Sequence, residues 1–371
     1  MTAAEQAGVN PARSRHCHRT RLVRKLWRER RSRYLMVLAR QQRGGTGRCA
    51  CRTAVSRGPG LALGLWLGTG LDALAGDPRR AHPVAMFGRA ASVAESRLWA
   101  DSRLRGAAFA VACVAPVTGL GWALDRLSRR SAGVHAAVTA VAAWAVLGGT
   151  SLCGEALELA RSLRAGDLAA ARRRLPALCG RDCDQLDATE LARAVVESVA
   201  ENTCDAVVAP LLWGAVCGLP GLLAYRAVNT LDAMVGHRTP RYARFGWACA
   251  RTDDVVNYLP ARLTGVVAAV LAPAVGGNPG RALRILYSHG GAHPSPNSGR
   301  CEAAFAGALG VRLGGVNFYQ GRAEPYGPLG DGPPPAARDI DRTVRLSRLT
   351  SAAVSLLAAG VAYRVHGRRR L

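Results

Sequence analysis

Lysine is nearly missing from this chain. Of 50 basic residues only Lys25 is not an arginine. That excludes a G-x-x-x-x-G-K-[ST] phosphate loop, and beyond the N-terminal segment it excludes a lysine acting as Schiff base or phosphate clamp. Acidic residues are sparse too, 25 against 50 bases, for a net charge of +25. Aromatic residues make up 5%, and few runs alternate polar with apolar positions, so the β signal is weak throughout. The 11 cysteines show no repeated metal-ligand spacing. His16-Cys17-His18 and Cys49-Ala50-Cys51 are too compact and isolated for a zinc site, and Cys179 and Cys183 could share a helix face. The set reads as buried or incidental thiols in a reducing compartment.

What the chain does have is apolarity, 49% of its residues. So much of both charge and apolarity requires that they be segregated along the sequence. Residues 1–60 hold 15 of the basic groups and two acids. Residues 1–58 read as a basic, disordered N-terminal extension, separate from a membrane domain over 59–371. The apolar stretch Tyr34–Ala39 is too short for a secretory signal. No folded reader or aromatic interleaving accompanies the charge, so no nucleic-acid partner is expected.

From Leu61 onward, apolar runs alternate with Arg-rich connectors. Gly106–Leu124 carries no charge, and Gly133–Cys153 carries only His135 as an ionisable group. Both are long enough to cross a bilayer, which takes about 20 residues. Leu61–Ala75, Val207–Ala224, Leu263–Gly277 and Thr350–Tyr363 are shorter or interrupted. Arginines flank the two long runs, as they do at membrane ends. The expectation is an all-α, polytopic integral membrane protein whose helix breaks carry the polar site. The alternative is a soluble all-α domain with buried helices. Positive-inside counting puts the connector after Cys153 and the segment 76–105 in the cytoplasm, so a multi-pass protein of the cell membrane with a cytoplasmic site is expected.

Four polar clusters lie beside these runs. GDPRRAHP, from Gly76 to Pro83, is a proline-fixed turn with Asp77, Arg79, Arg80 and His82. Glu197, Glu201 and Asp205 fall at i, i+4 and i+8, along one helix face, and Arg226, Asn229 and Asp232 at i, i+3 and i+6. Like charges stacked in this way suit a shared divalent cation or facing arginines. The break at Leu219-Pro220-Gly221 would let the two stripes face each other across a hairpin. Asp253, Asp254 and Asn257 suit Mg²⁺, a hard ion that takes oxygen ligands; helix capping by either Asp is the plainer reading. The last cluster is the His293-Pro-Ser295-Pro-Asn297-Ser-Gly299 loop, followed by Glu302 and, after a small-residue helix over 303–310, a further loop with Gly314, Gly315, Asn317 and Tyr319.

The segments GDPRRAHPV, ESVAENTCDAVVAPLLW, AYRAVNTLDAMVG, RYARFGWACARTDDVVNYLPARLT and HPSPNSGRCEAAFAGALGVRLGG, in this order over about residues 60–335, resemble the cobalamin-biosynthesis family called CobD or CbiB. The resemblance implies an integral membrane adenosylcobinamide-phosphate synthase. Such an enzyme is an ATP-dependent acid–amine ligase. It joins (R)-1-aminopropan-2-ol O-phosphate, or aminopropanol, to the free propionate of adenosylcobyric acid. ATP and Mg²⁺ are the implied cofactors, and the corrinoid, the amine and membrane lipid the implied partners.

That chemistry needs carboxylates for a metal, cations for phosphate oxygens and a base for the amine. Glu201, Asp205, Asp232, Asp253 and Asp254 are the candidate metal carboxylates, with Asp232 and Asp253 also at the reacting centre. Arg79, Arg80, Arg226 and Arg251 would neutralise phosphate, in the absence of lysine. His293, or else His82, is the candidate base. Asn202, Asn229, Asn257, Ser295 and Asn297 would orient substrate. A corrinoid-binding transporter or scaffold without ligase activity is the competing function.

Overall fold

The structure, a computed structural model, describes residues 57–77, 82–237, 239–319 and 321–367. The N-terminal extension expected over 1–58 therefore lies outside the described residues, but for its last two. Arg79 and Arg80 lie outside them as well.

Helix α1, Arg57–Ala75, is built to be approached closely. Gly60, Gly64 and Gly68 recur every fourth residue and form a groove. Helix α4, Ala132–Val146, lies in that groove. A Cβ at Gly60 would sit 2.9 Å from the Ala132 carbonyl oxygen, one at Gly68 2.5 Å from Ala143 Cβ, and one at Gly64 would collide with Thr139. Between apolar helices in lipid, close approach of this kind replaces the hydrophobic driving force. Helix α14, Ala337–Gly367, packs on α1 as well, with Ser355 Oγ donating to Thr69 Oγ1 at 3.1 Å.

Among the described residues three stretches are long and apolar enough to cross a membrane: Arg103–Ser128, Ala132–Arg164 and Ala337–Gly367. The first is helix α3. The second is α4 continued by α5, Gly149–Arg164, after a break at Leu147–Gly148 where Leu147 turns extended. The third extends the short Thr350–Tyr363 run into a 31-residue helix. Only 11% of the residues in the most apolar part of α3 are fully buried; Phe109 and Gly121 pack on the helix Leu219–Val235, while Val111, Leu120 and Trp122 are exposed. The one ionisable group foreseen in the second run, His135, meets a partner from the first: its Nε2 lies 3.2 Å from Asp125 Oδ1, and Arg129 donates to the same carboxylate. The buried Asp125 carboxylate between these helices is thus paired, as the cost of leaving it alone requires. The protein is an all-α membrane protein, as its sequence leads one to expect.

The remaining helices build the polar region. Between Leu98 and α3 the chain turns sharply after α2, Pro83–Leu98, which is opened by Pro83 and capped by His82, whose Nδ1 accepts from the Val84 amide. Helix α6, Leu168–Arg174, leads to a connector. Helix α7, Ala188–Thr203, starts with a reciprocal capping box between Asp187 and Glu190. It runs through a π turn, Cys204–Val208, into α8, Ala209–Cys217. Gly218, at φ +72°, reverses the chain into α9, Leu219–Val235. Helices α10, Trp247–Val256, and α11, Tyr258–Val270, follow, then α12, Pro279–His289, and α13, Ser298–Leu309. The main core joins α5, α7, α13 and α14 through Ala156, Leu159, Val195, Val199, Phe305 and Leu346.

Two expectations are corrected. The loop expected at 314–319 is strand β1, Leu313–Tyr319, paired antiparallel with β2, Arg322–Leu329, in the register Leu313↔Leu329 to Tyr319↔Arg322. Two glycines and the bulge between Leu313 and Gly315 hide its alternation. Cys179 and Cys183 share no helix face, because the chain after the 3₁₀ turn Leu175–Ala177 is irregular there.

Candidate functional site

The α8–α9 reversal brings the two acidic stripes together. Asn229 on α9 donates through Nδ2 to Asp205 Oδ2 at 3.1 Å and to Asp253 Oδ1 at 3.4 Å, so one amide joins the π turn, α9 and α10. The π turn begins three residues after Glu201 and holds Asp205 in its second position. Extra residues of this kind in a helix recur at functional sites because they re-aim side chains. Asn257 donates to Asp253 Oδ2 at 2.9 Å and accepts from the Tyr225 hydroxyl at 2.9 Å. Both oxygens of Asp253 are therefore fixed. Asp253 and Asp254 sit near the C-terminal end of α10, so neither caps a helix start.

These groups lie outside the three membrane-length helices, and their protonation is strongly biased. Burial first, then the neighbouring Asp232, pushes Asp253 up to about 7. Burial, then Asp254 and Glu201, pushes Asp232 up to about 6. Asp205 is raised well above the carboxylate range by burial, then by Asp253 and Glu201. Five carboxylates thus share one region with one guanidinium beside them: Arg226 Nη1 donates to Asn229 Oδ1 at 3.4 Å. Gly148 and Asp77 flank the same guanidinium. Arg251 is placed differently. It is exposed and pairs with Asp254 at 3.4 Å on the outer side of α10.

The 293–302 loop closes a second side. Ser298 Oγ donates to Glu201 Oε1 at 2.5 Å, which couples the loop to the acidic stripe. His293 Nδ1 accepts from the Ser295 amide at 3.0 Å, so its proton sits on Nε2, 3.8 Å from Glu302 Oε1. Burial holds the imidazole below its usual range, while burial together with Glu197 and Glu201 raises Glu302 well above its own. The pair can exchange a proton only through Nε2. His82 is occupied as the α2 cap and lies 3.8 Å from Asp77. Ser295, Asn297 and Asn202 are engaged within the protein. Ser295 Oγ accepts from the Asn297 and Ser298 amides, Asn297 Nδ2 donates to the Asp254 carbonyl, and Asn202 Nδ2 donates to the Ser198 carbonyl.

Several residues here carry no role in the sequence reading. They are Tyr225, which donates to Asn257, and Arg181 and Arg193, both drawn onto Glu197 at 2.7 and 3.3 Å. Only an i, i+4 spacing between Arg193 and Glu197 hints at this.

The model of the family described as CobD/Cbib protein matches residues 65–347. A Mycobacterium tuberculosis protein named "Cobalamin biosynthesis protein CobD" is 51% identical over 303 residues, covering 82% of this chain and 96% of its own length. Proteins of the same name from Geobacter metallireducens and Rhodobacter capsulatus are 44% and 40% identical, covering 78% and 81% of this chain and 93% and 96% of themselves. No solved structure matches. With more than two thirds of the chain matched by both kinds of comparison, and with the quoted polar segments inside the matched range, the chain belongs to the CobD/Cbib family.

Proposed function

We propose that this member of a cobalamin-biosynthesis family is an adenosylcobinamide-phosphate synthase, joining an aminopropanol phosphate to the free propionate of adenosylcobyric acid at the expense of ATP. The observation that carries the reading is the carboxylate group Asp205–Asp232–Asp253, braced by Asn229 and Asn257 where three helices meet. A carboxylate condenses with an amine only after activation, and phosphorylation by ATP supplies a leaving group. The active site is proposed to open to the cytoplasm, where ATP is available, in a protein of the cell membrane.

Mg²⁺ suits this donor set. Among the described residues no three His, Cys, Asp or Glu converge on one point. An ion held by one or two carboxylates and completed by phosphate oxygens and water needs no more. Asp253 and Asp232 would hold it, with Asp205 behind them, and its charge would offset the repulsion that now keeps these groups partly protonated. Bound there, it would neutralise phosphate oxygens of the nucleotide. Arg226 would meet further phosphate charge, since guanidinium is the only cation the chain offers in quantity. His293 would take up the ammonium proton at Nδ1 once the Ser295 amide releases that atom, and Glu201, held by Ser298, would orient the amine.

Membranes bearing the full chain, supplied with adenosylcobyric acid, aminopropanol phosphate, Mg²⁺ and ATP, are expected to yield the amide by mass spectrometry. Asp253→Asn at equal protein level should lower the rate at least about a hundredfold. Undiminished product from this variant would remove the carboxylate group from the mechanism. No product from the wild type, with corrinoid still retained, would favour a transporter or scaffold.

A further inference from the structure

We infer that Arg181 and Asn317 form an oxyanion seat, a place for a phosphate or carboxylate group, between the 178–187 connector, α7 and the β1–β2 hairpin. Both side chains are deeply buried, with Arg181 8% exposed and Asn317 2%. Arg181 uses one nitrogen, with Nη2 donating to Glu197 Oε2 at 2.7 Å. Its Nε and Nη1 donate to no protein acceptor, and neither does Asn317 Nδ2, although all three atoms are shielded from solvent. Buried donors are nearly always matched, and those left over ask for a ligand.

The surroundings show that these donors are not loose ends of a slack region. Glu197 Oε1 accepts from the Gly314 amide at 2.8 Å and from Arg193 Nη1. Arg193 Nη1 also donates to Asn317 Oδ1 at 2.9 Å and to the Gly314 carbonyl. The Asp182 amide donates to the Phe318 carbonyl at 2.8 Å, which pins the Arg181 connector to β1. Gly314 allows this at φ +80°, where a side chain would also strike the Gly327 carbonyl. Arg181, Glu197, Arg193 and Asn317 therefore make one continuous, braced assembly. The unmatched donors belong to Arg181 and Asn317, whose chain neighbours the Asp182–Phe318 hydrogen bond ties together.

The charge count suits an anion. Two guanidiniums share one carboxylate, Glu197, so the assembly carries one positive charge in excess. Burial by itself would weaken the Arg181 charge, but Glu197 more than reverses this. In Glu302, the neighbouring buried acid, burial, then Glu197 and Glu201, push the carboxyl well above its usual range. Glu201, held by Ser298, suits the cationic end of a ligand that carries both charges. Under the proposed function, on which this last step rests, that ligand is the aminoalkyl phosphate. The nucleotide's phosphates are the other source of the same chemistry.

The test uses the full chain in detergent, with inorganic phosphate as the probe and thermal unfolding as the first readout. Phosphate should raise the unfolding temperature of the wild type. Asn317→Asp keeps the oxygen that Arg193 needs, loses the free donor and adds a negative charge, so it should fold and lose that protection. Arg181→Lys keeps the charge and should keep part of it. Equal phosphate protection of the wild type and both variants overturns the seat. Kinetics then identify the source. A KM for the aminoalkyl phosphate raised about tenfold or more in Asn317→Asp, with kcat little changed, assigns the seat to the amine's phosphate. The same rise in the KM for ATP assigns it to the nucleotide. Lost protection with both KM values unchanged overturns its assignment to a reacting phosphate. If the wild type makes no product at all, the ligase reading fails, while the phosphate measurement still decides the seat.

Discussion

Asp253 shows at the scale of one residue how the site opposes the fold. Its carboxyl is raised to about 7, and that of Asp232 to about 6, from 3.8. Over that interval the folded protein holds protons that the unfolded chain has released. Stability is therefore highest below about pH 4 with respect to these two groups, and it is lost as pH rises through 6 and 7. Two consequences follow for the purified protein. Mg²⁺ should raise the unfolding temperature more at pH 8 than at pH 5, because at pH 5 protons compete for the same oxygens. Asp253→Asn should raise the unfolding temperature at pH 8 without Mg²⁺, by about 2–4 °C, while removing most of the Mg²⁺ response. A differential scan at the two pH values checks both; a variant less stable than the wild type at pH 8 would mean that Asp253 is held by stronger partners than its two amides.

Among the elements, α1 decides whether the helices close at all. Its Gly60, Gly64 and Gly68 stripe lets the α4 backbone come within contact distance, and α1 carries Asp72, whose Oδ2 accepts from the Thr150 amide at the start of α5. Closing this pair therefore also sets the helix break at Leu147–Gly148, where Arg226 and Asp77 approach. Gly64→Leu should force the helices apart, since overpacking costs about 1–3 kcal/mol or more. The expected result is reduced yield of folded protein from detergent extracts and a lower unfolding temperature. Gly70, which faces open space, should accept alanine with neither effect. Equal behaviour of the two variants would show that α1 is not packed through this face.

At the scale of the whole molecule, charge and apolarity are separated. Helix α3 turns Leu104, Val111, Leu120, Trp122 and Leu127 outward, large apolar side chains along a membrane-length helix, as contact with lipid requires. The chain is expected to stay in the membrane fraction after an alkaline carbonate wash and to leave it only in detergent. The family match begins at residue 65 and the first described helix at Arg57. A chain beginning after residue 56 should therefore keep amide synthesis within about twofold of the full chain, an estimate that treats distant segments as independent. Loss of activity with the membrane association intact would assign the basic segment a part in the reaction.

The sequence by itself determined the helical class, the two longest membrane runs, a helix reversal beside Leu219-Pro220-Gly221, which falls at Gly218, and the spacing of the acidic stripe. Each of these rests on local causes: an apolar run length, a helix period, a Pro-Gly break. The quoted motifs were also enough to point to the family. Only the tertiary structure decided which polar groups meet. Asn229 joins Asp205 and Asp253 across three helices, and nothing in the spacing of Asn229 marks it as the link. Ser295 and Asn297 are candidate substrate ligands by sequence; only the fold shows that Ser295 Oγ also accepts two amides of its own turn and that Asn297 reaches the Asp254 carbonyl on α10. Arg181 stands 16 residues before Glu197 and Asn317 stands 120 after it, on a strand that two glycines disguise. Their convergence depends on distant segments folding together around one buried carboxylate, and that is information no local pattern carries.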